Sequence, residues 1–323
     1  MTNREMNHHH VSAATSKLPI GCLVGLLLML TLSILVLASV PPVDRDALTH
    51  HLAVPKLYLK HGGIHEIPQV PFSYYPMNLD LLYAIPLYFG NDIVPKYIHF
   101  GFALLTAGLI GSYLYRRLCS PIAALLGALL FLSLPVIVKL SITVYVDLGL
   151  IFFSTAALLQ LLRWAEAGFP LKRLVLSGIF AGLCLGTKPN GMLSFFFLAA
   201  AVPFLCRPVA AAPSAQPPDE KREHPRKRLS LGAMGSSAVF AMIALLVYSP
   251  WMLRNYFWTG NPVYPMAQAI FAHNGAADTS APANDTTEAG ASRSPDNREK
   301  GVSGSGHFAG RKVIFGESLL EIL

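Results

Sequence analysis

Acids and cations are scarce in this chain, and the few beside apolar segments are the ones that could do chemistry. Asp147 is the only acid inside an apolar run long enough to cross a bilayer. A charge at the bilayer centre costs about 2.5–3.5 kcal/mol on insertion scales, so a carboxylate kept there is expected to face a polar cavity. Asp46 opens the segment Asp46-Ala47-Leu48-Thr49-His50-His51-Leu52, just after the first apolar run. If that segment is an α-helix, Leu48, Leu52, Pro55 and Leu59 fall on one apolar face, and Asp46 and His50 share the opposite one. The same pattern also describes a solvated polar face on an interfacial helix. Two cations complete the set. Lys188 stands in the turn Gly186-Thr187-Lys188-Pro189-Asn190-Gly191, and Arg254 follows Ser249-Pro250-Trp251-Met252-Leu253. Basic residues at helix ends also serve as interfacial anchors. A carboxylate can take a proton and Lys or Arg can hold a phosphate, so together these residues suit a phosphorylated lipid.

The elements that hold them must be membrane helices. Of 323 residues, 53% are hydrophobic and 13% charged, with a mean hydropathy of +0.47. Soluble proteins are roughly 25% charged, which excludes an ordinary soluble enzyme and excludes disorder over most of the chain. The four cysteines, Cys22, Cys119, Cys184 and Cys206, lie in apolar stretches without metal-ligand spacing and read as small hydrophobes. A spanning helix needs about 20 apolar residues. Seven runs qualify, at 18–40, 97–115, 118–138, 140–162, 171–187, 190–206 and 229–253. The first is too long for a signal peptide. The expected fold class is therefore all-α, a polytopic transmembrane bundle with short interfacial helices in the first outer loop. One of these, 79–89, lies at the interface instead of crossing.

Basic residues set the orientation. With the N-terminus in the cytoplasm, thirteen Lys and Arg fall inside and seven outside up to Arg254, a bias that holds only if 79–89 does not cross. The formal charge of +7 is thus a matter of topology, and no nucleic-acid partner is implied. The chain divides into a cytoplasmic tail (1–17), a transmembrane domain (18–266) and a polar C-terminal segment (267–323). The transmembrane domain carries an outer loop at 41–96 and a basic cytoplasmic loop at 207–228. Residues 272–306 lack apolar periodicity and are expected to be disordered. They contain the sequon Asn284-Asp285-Thr286.

In their order, these features resemble the polyisoprenyl-phosphate-dependent membrane glycosyltransferases of the GT-C fold, among them protein O-mannosyltransferases and the lipid A aminoarabinose transferase. The resemblance runs over about 18–266. It rests on the acidic motif at Asp46, Tyr75-Pro76-Met77 in the outer loop, the Arg116-Arg117 pair and Tyr145-Val146-Asp147-Leu148. The Gly-Thr-Lys turn and Ser-Pro-Trp follow. It implies that Asp46 and Asp147 are catalytic acids and that Lys188 lies near the donor phosphate. Arg254, His50 and Tyr75 are implied as further substrate-binding residues. Many members have an acidic pair after the first span, where this chain has Asp46 followed by Ala47. They also continue for several more spans, so the chain reads as a truncated member.

What the resemblance implies is inverting transfer of a sugar from a polyprenyl-phosphate donor to an extracytoplasmic acceptor, which is a glycolipid, a polysaccharide or a protein. The enzyme would sit in a bacterial inner membrane with its site on the outer face. No cofactor is required, and no Gly-rich phosphate loop is present. Asp44-x-Asp46 resembles the metal-binding DxD of nucleotide-sugar enzymes, which leaves room for a divalent metal. Two other classes compete: a transporter or flippase for a lipid-linked sugar, and a non-catalytic membrane scaffold. Transporters often show repeated halves with helices interrupted at the midplane. Here the polar residues gather at one face.

Overall fold

The computed structural model describes residues 17–206 and 226–271. The expectations for the N-terminal tail, for most of the loop at 207–228, and for 272–323 with its sequon lie outside the described residues. The chain divides at Gln268 into two units, the second of which is described only over Ala269–Phe271. Among the described residues every regular element is a helix, as the composition required.

Helix α1 (Lys17–Ala38) is followed by a π-helical turn (Ala47–His51), α2 (Ala53–Lys60), a 3-10 turn (Pro71–Tyr74) and α3 (Asn78–Tyr88). Then come α4 (Val94–Leu118), α5 (Pro121–Ser133), α6 (Pro135–Ser141) and α7 (Asp147–Glu166). The described chain closes with α8 (Leu171–Leu185), α9 (Gly191–Leu205), α10 (Arg226–Thr259) and the short α11 (Gln268–Phe271). Arg226–Arg228, expected in the basic loop, open α10 instead.

Against the seven spans expected, four helices among the described residues are long and apolar enough to cross, namely 18–38, 94–118, 147–166 and 232–259. A fifth is counted if α5 and α6, bent by 68°, form one span. The bend has a local cause. Leu134 precedes Pro135 and takes φ −59°, ψ 128°, because the proline ring bars its neighbour from helical geometry. Helices α8 and α9 have 15 residues each, about 22 Å at 1.5 Å per residue, short of a hydrocarbon core of about 30 Å. The span expected at 140–162 starts later, at Asp147. Asp147 is therefore the first residue of a helix, where exposed N–H groups favour a negative charge by about 0.3–1 kcal/mol.

Helix α8 packs between α7 and α10, and α4 packs against both α5 and α7. Close approach of α8 to α10 depends on Gly178 and Gly182. A Cβ at Gly182 would lie 2.5 Å from the Ala244 carbonyl oxygen, so a small residue every fourth position lets the two backbones meet. The outward faces remain apolar: Leu28 on α1, Phe197 on α9 and Leu246 on α10 are each more than 60% exposed, as lipid-facing side chains would be. Two buried clusters among the described residues bear on the site. One joins Ile34, Phe100, Ala103 and Leu148. The other, built on Ala47, Leu52, Leu79, Tyr83 and Val146, brings the outer loop onto the helices.

Candidate functional site

A cavity of about 260 Å3 opens where the outer loop meets the start of α7 and the α8–α9 turn. Of the six residues expected to carry the site, Asp46, His50, Tyr75, Asp147 and Lys188 line it. Arg254 does not.

Helix α7 is positioned first. His99 of α4 is fully buried and bridges the turn ahead of it, its Nδ1 donating to the Thr143 carbonyl (3.1 Å) while its Nε2 accepts from the Leu148 N–H (3.0 Å). The Tyr83 hydroxyl donates to the Tyr145 carbonyl at 2.6 Å. Two residues on, Asp147 Oδ1 accepts from Lys188 Nζ at 2.7 Å. This pair is only partly covered, with side chains 25% and 32% exposed, so it holds geometry more than it contributes stability.

The lysine is held in turn by a junction at Asn78. The Asn78 N–H donates to the Gly186 carbonyl (2.9 Å), its Nδ2 donates to the Leu183 carbonyl (3.2 Å), and its Oδ1 accepts from Trp251 Nε1 (2.8 Å). One amide thus ties α3, the end of α8 and α10 together. Glycine is required at both ends of the turn, since a Cβ at Gly186 would overlap the Asn78 amide and one at Gly191 the Cys184 carbonyl. Gly149 plays the same part on α7, because a Cβ there would overlap Leu79.

The outer loop contributes differently from what an α-helical reading implies. Residues Ala47–His51 form a π-helical turn. One extra residue per turn shifts the register, so that His51 joins His50 at the cavity and is only 7% exposed. Of the expected apolar face, Leu52 and Pro55 are buried, whereas Leu59 is 36% exposed. Asp46 is exposed at the cavity edge. His50 stacks on Phe72 with ring centroids 4.5 Å apart and meets the His51 ring at 4.0 Å. Burial, with help from His51 and Lys188, pushes its pKa down from 6.5 to about 3, so the ring is neutral at physiological pH.

The feature that sequence reasoning missed is Asp80. It is 2% exposed, lines the cavity, and its Oδ1 lies 2.6 Å from His51 Nδ1. With Nδ1 donating to this carboxylate, Nε2 is the nitrogen left for the cavity. The one available signal was an acid in the first turn of the short apolar helix 79–89.

Arg254, expected beside a lipid phosphate, instead supports the cavity wall from behind. Its Nη2 donates to the carbonyls of Tyr74 (2.6 Å) and Tyr75 (3.1 Å), and its guanidinium lies 4.5 Å and 4.7 Å from the rings of Trp251 and Trp258. Neighbouring Asn255 donates to the same Tyr74 carbonyl at 3.0 Å. The end of the 3-10 turn and Tyr75, which follows it, are therefore clamped to α10. Among the described residues, no group of three or more His, Cys, Asp or Glu is placed to hold a metal ion.

Residues 82–211 match the family model described as dolichyl-phosphate-mannose-protein mannosyltransferase. The match bears out the resemblance to the GT-C membrane glycosyltransferases and supports a membrane glycosyltransferase of the mannosyltransferase type. With its apolar helices, the chain is an integral membrane protein. The matched segment covers about two fifths of the chain and holds Asp147 and Lys188, while Asp46, the two histidines, Tyr75 and Asp80 precede it. No curated protein and no solved structure matches the chain.

Proposed function

We propose that the cavity transfers a sugar from a polyprenyl-phosphate donor to an acceptor hydroxyl on the outer face of a bacterial inner membrane, with inversion at the anomeric carbon. The observation that carries this reading is the convergence of Asp46, Asp147 and Lys188, from three separate segments, on one cavity at one end of the bundle. The transmembrane domain at 18–266 is the unit we assign to it.

In the proposed reaction the acceptor oxygen attacks the anomeric carbon from the face opposite the phosphate. The new C–O bond forms as the bond to the phosphate oxygen breaks, and that electron pair leaves with the lipid phosphate. Asp46 takes the hydroxyl proton. Lys188 stabilises the charge that grows on the phosphate, and Asp147 holds it in position until the donor arrives. His51, oriented by Asp80, offers a second proton acceptor in the same cavity. Tyr75 and the neutral His50 bound the space for the sugar. Arg254 acts as a positioning residue through the Tyr74 and Tyr75 carbonyls.

The test uses the purified full chain in liposomes loaded with radiolabelled polyprenyl-phosphate mannose and a set of hydroxyl acceptors. Label should pass from lipid to acceptor with inverted configuration. Asp46→Asn should lower turnover by about 10²–10⁴-fold while donor binding persists. Lys188→Ala should weaken both, since the phosphate is present in ground and transition states alike. Movement of intact donor across the bilayer without cleavage of its glycosidic bond would establish the transporter instead.

A further inference from the structure

A second cavity, of about 350 Å3, lies at the other end of α7. It is lined by Arg116 and Arg117 from the end of α4, Arg163 and Glu166 from the end of α7, and Arg173 from the start of α8. Asp147 opens the 20-residue α7 and Glu166 closes it. At 1.5 Å per residue about 28 Å separate the two, close to the thickness of a hydrocarbon core. The two cavities thus sit at opposite head-group levels.

Four guanidinium groups converge here against one carboxylate, and that carboxylate is already engaged, since Arg117 pairs with Glu166. Arg173 Nη1 donates to Gln160 Oε1 at 3.0 Å and Arg116 Nε to the Ser112 carbonyl at 3.2 Å, which fixes both stems and leaves further N–H groups for a ligand. Like charges brought together from three helices repel unless an anion joins them. The planar fork of arginine fits phosphate oxygens two at a time. In the chain, these arginines are flanked by exposed apolar side chains: Tyr115, Leu118, Phe169 and Leu171 are 54%, 59%, 46% and 64% exposed. Such a setting suits a phosphate whose remainder lies in the membrane.

We propose that this four-arginine cavity binds a phosphate group, as carried by an anionic phospholipid of the leaflet opposite the catalytic cavity. The site is independent of the proposed transfer reaction and places no demand on it.

The experiment titrates phosphatidylglycerol into the full chain purified in an uncharged maltoside detergent, and reads bound lipid by native mass spectrometry and the apparent unfolding midpoint. Saturable binding with an upward shift is expected, and none with phosphatidylcholine. Losing one charge-assisted hydrogen bond to the phosphate costs about tenfold, so Arg163→Gln with Arg173→Gln should weaken binding about a hundredfold. Lys172→Gln, which removes an exposed neighbouring charge outside the cavity, should bind as the parent does. If the glutamine pair does not fold, Arg163→Lys with Arg173→Lys keeps the charge, loses the fork and should still bind several-fold more weakly. A parallel arm with inorganic phosphate separates the sources. Protection by the lipid alone identifies a head-group site, and equal protection by millimolar phosphate identifies a free-phosphate site. Unchanged phosphatidylglycerol affinity in the folded double variants, or no response of the parent chain to either probe, overturns the proposal.

Discussion

Asp80 and His51 come from positions 29 residues apart, meet in a buried contact of 2.6 Å, and leave one imidazole nitrogen for a cavity that already holds Asp46. Two groups in that cavity could therefore take the acceptor proton, and mutant kinetics can rank them. Asp80→Asn keeps an acceptor for the His51 N–H but removes the carboxylate charge beside the ring. Both Asp80→Asn and His51→Gln should lower turnover by about 10²-fold, the low end for a positioned base. If the two act as one unit, the double variant should be no slower than the worse single one. Losses that multiply would mean that His51 and Asp80 work separately. If His51→Gln costs more than Asp46→Asn, the base is His51. The second histidine behaves oppositely. With its pKa lowered from 6.5 to about 3, His50 stays neutral as pH falls from 8 to 5, because the folded protein does not take up the proton that an exposed histidine would. In nitrogen NMR of histidine-labelled protein, the resonance missing from His50→Gln should not titrate over that interval. Titration near 6.5 would place the ring in solvent. At this scale the sequence was partly legible. Asp147 and Lys188 stand out because charge is rare in apolar surroundings, whereas Asp80 declares itself only when the fold brings His51 to it.

Elements place these groups through a few backbone approaches that tolerate no side chain. Gly182 meets the Ala244 carbonyl of α10, and Gly186 meets the Asn78 amide that ties the Lys188 turn to α3. The two substitutions should therefore fail differently. Gly182→Leu overpacks the α8–α10 contact and should destabilise the fold by about 1–3 kcal/mol, read as a lower midpoint of thermal unfolding in detergent. Gly186→Ala displaces Asn78 locally, so donor binding should fall more than global stability. A Gly186→Ala protein with unaltered donor affinity would detach the turn from the site. The long helices α1, α4, α7 and α10 follow directly from apolar length. The break at Leu134–Pro135 does not, because averaging hydropathy over 118–138 says nothing of backbone direction, although Pro135 marks the place. The start of α7 was misread for a related reason. Residues 140–146 are apolar but cover the end of α6 and a turn held by His99 and Tyr83, two contacts that hydropathy cannot register. The π-helical turn has no composition of its own, and the α-helical spacing used for Asp46 and His50 hid His51 for that reason.

The cavity at one end of α7 is lined by Asp46, Asp80, Asp147 and Lys188, and the cavity at the other end by four arginines and Glu166. The bias in basic residues along the sequence leads us to propose that the arginine end faces the cytoplasm. The orientation can be tested apart from the chemistry. In a variant with Cys22, Cys119, Cys184 and Cys206 replaced, single cysteines at Lys56 and Lys172 report the two ends, since both positions are exposed. A membrane-impermeant maleimide added to intact spheroplasts should label position 56 and leave position 172 unmodified until the membrane is opened. The outcome bears on α3 as well. At 11 residues it extends about 16 Å, too little to cross, and it lies between α2 and the start of α7, with Asp80 facing the cavity. If α3 nevertheless crossed, positions 56 and 172 would lie on the same side, and Asp46 could not share a cavity with Asp147. Labelling of both positions from outside would therefore overturn the proposed site together with the topology. Labelling of position 172 alone would keep the site intact but turn it to the cytoplasm, where the donor and acceptor classes would have to be reassigned.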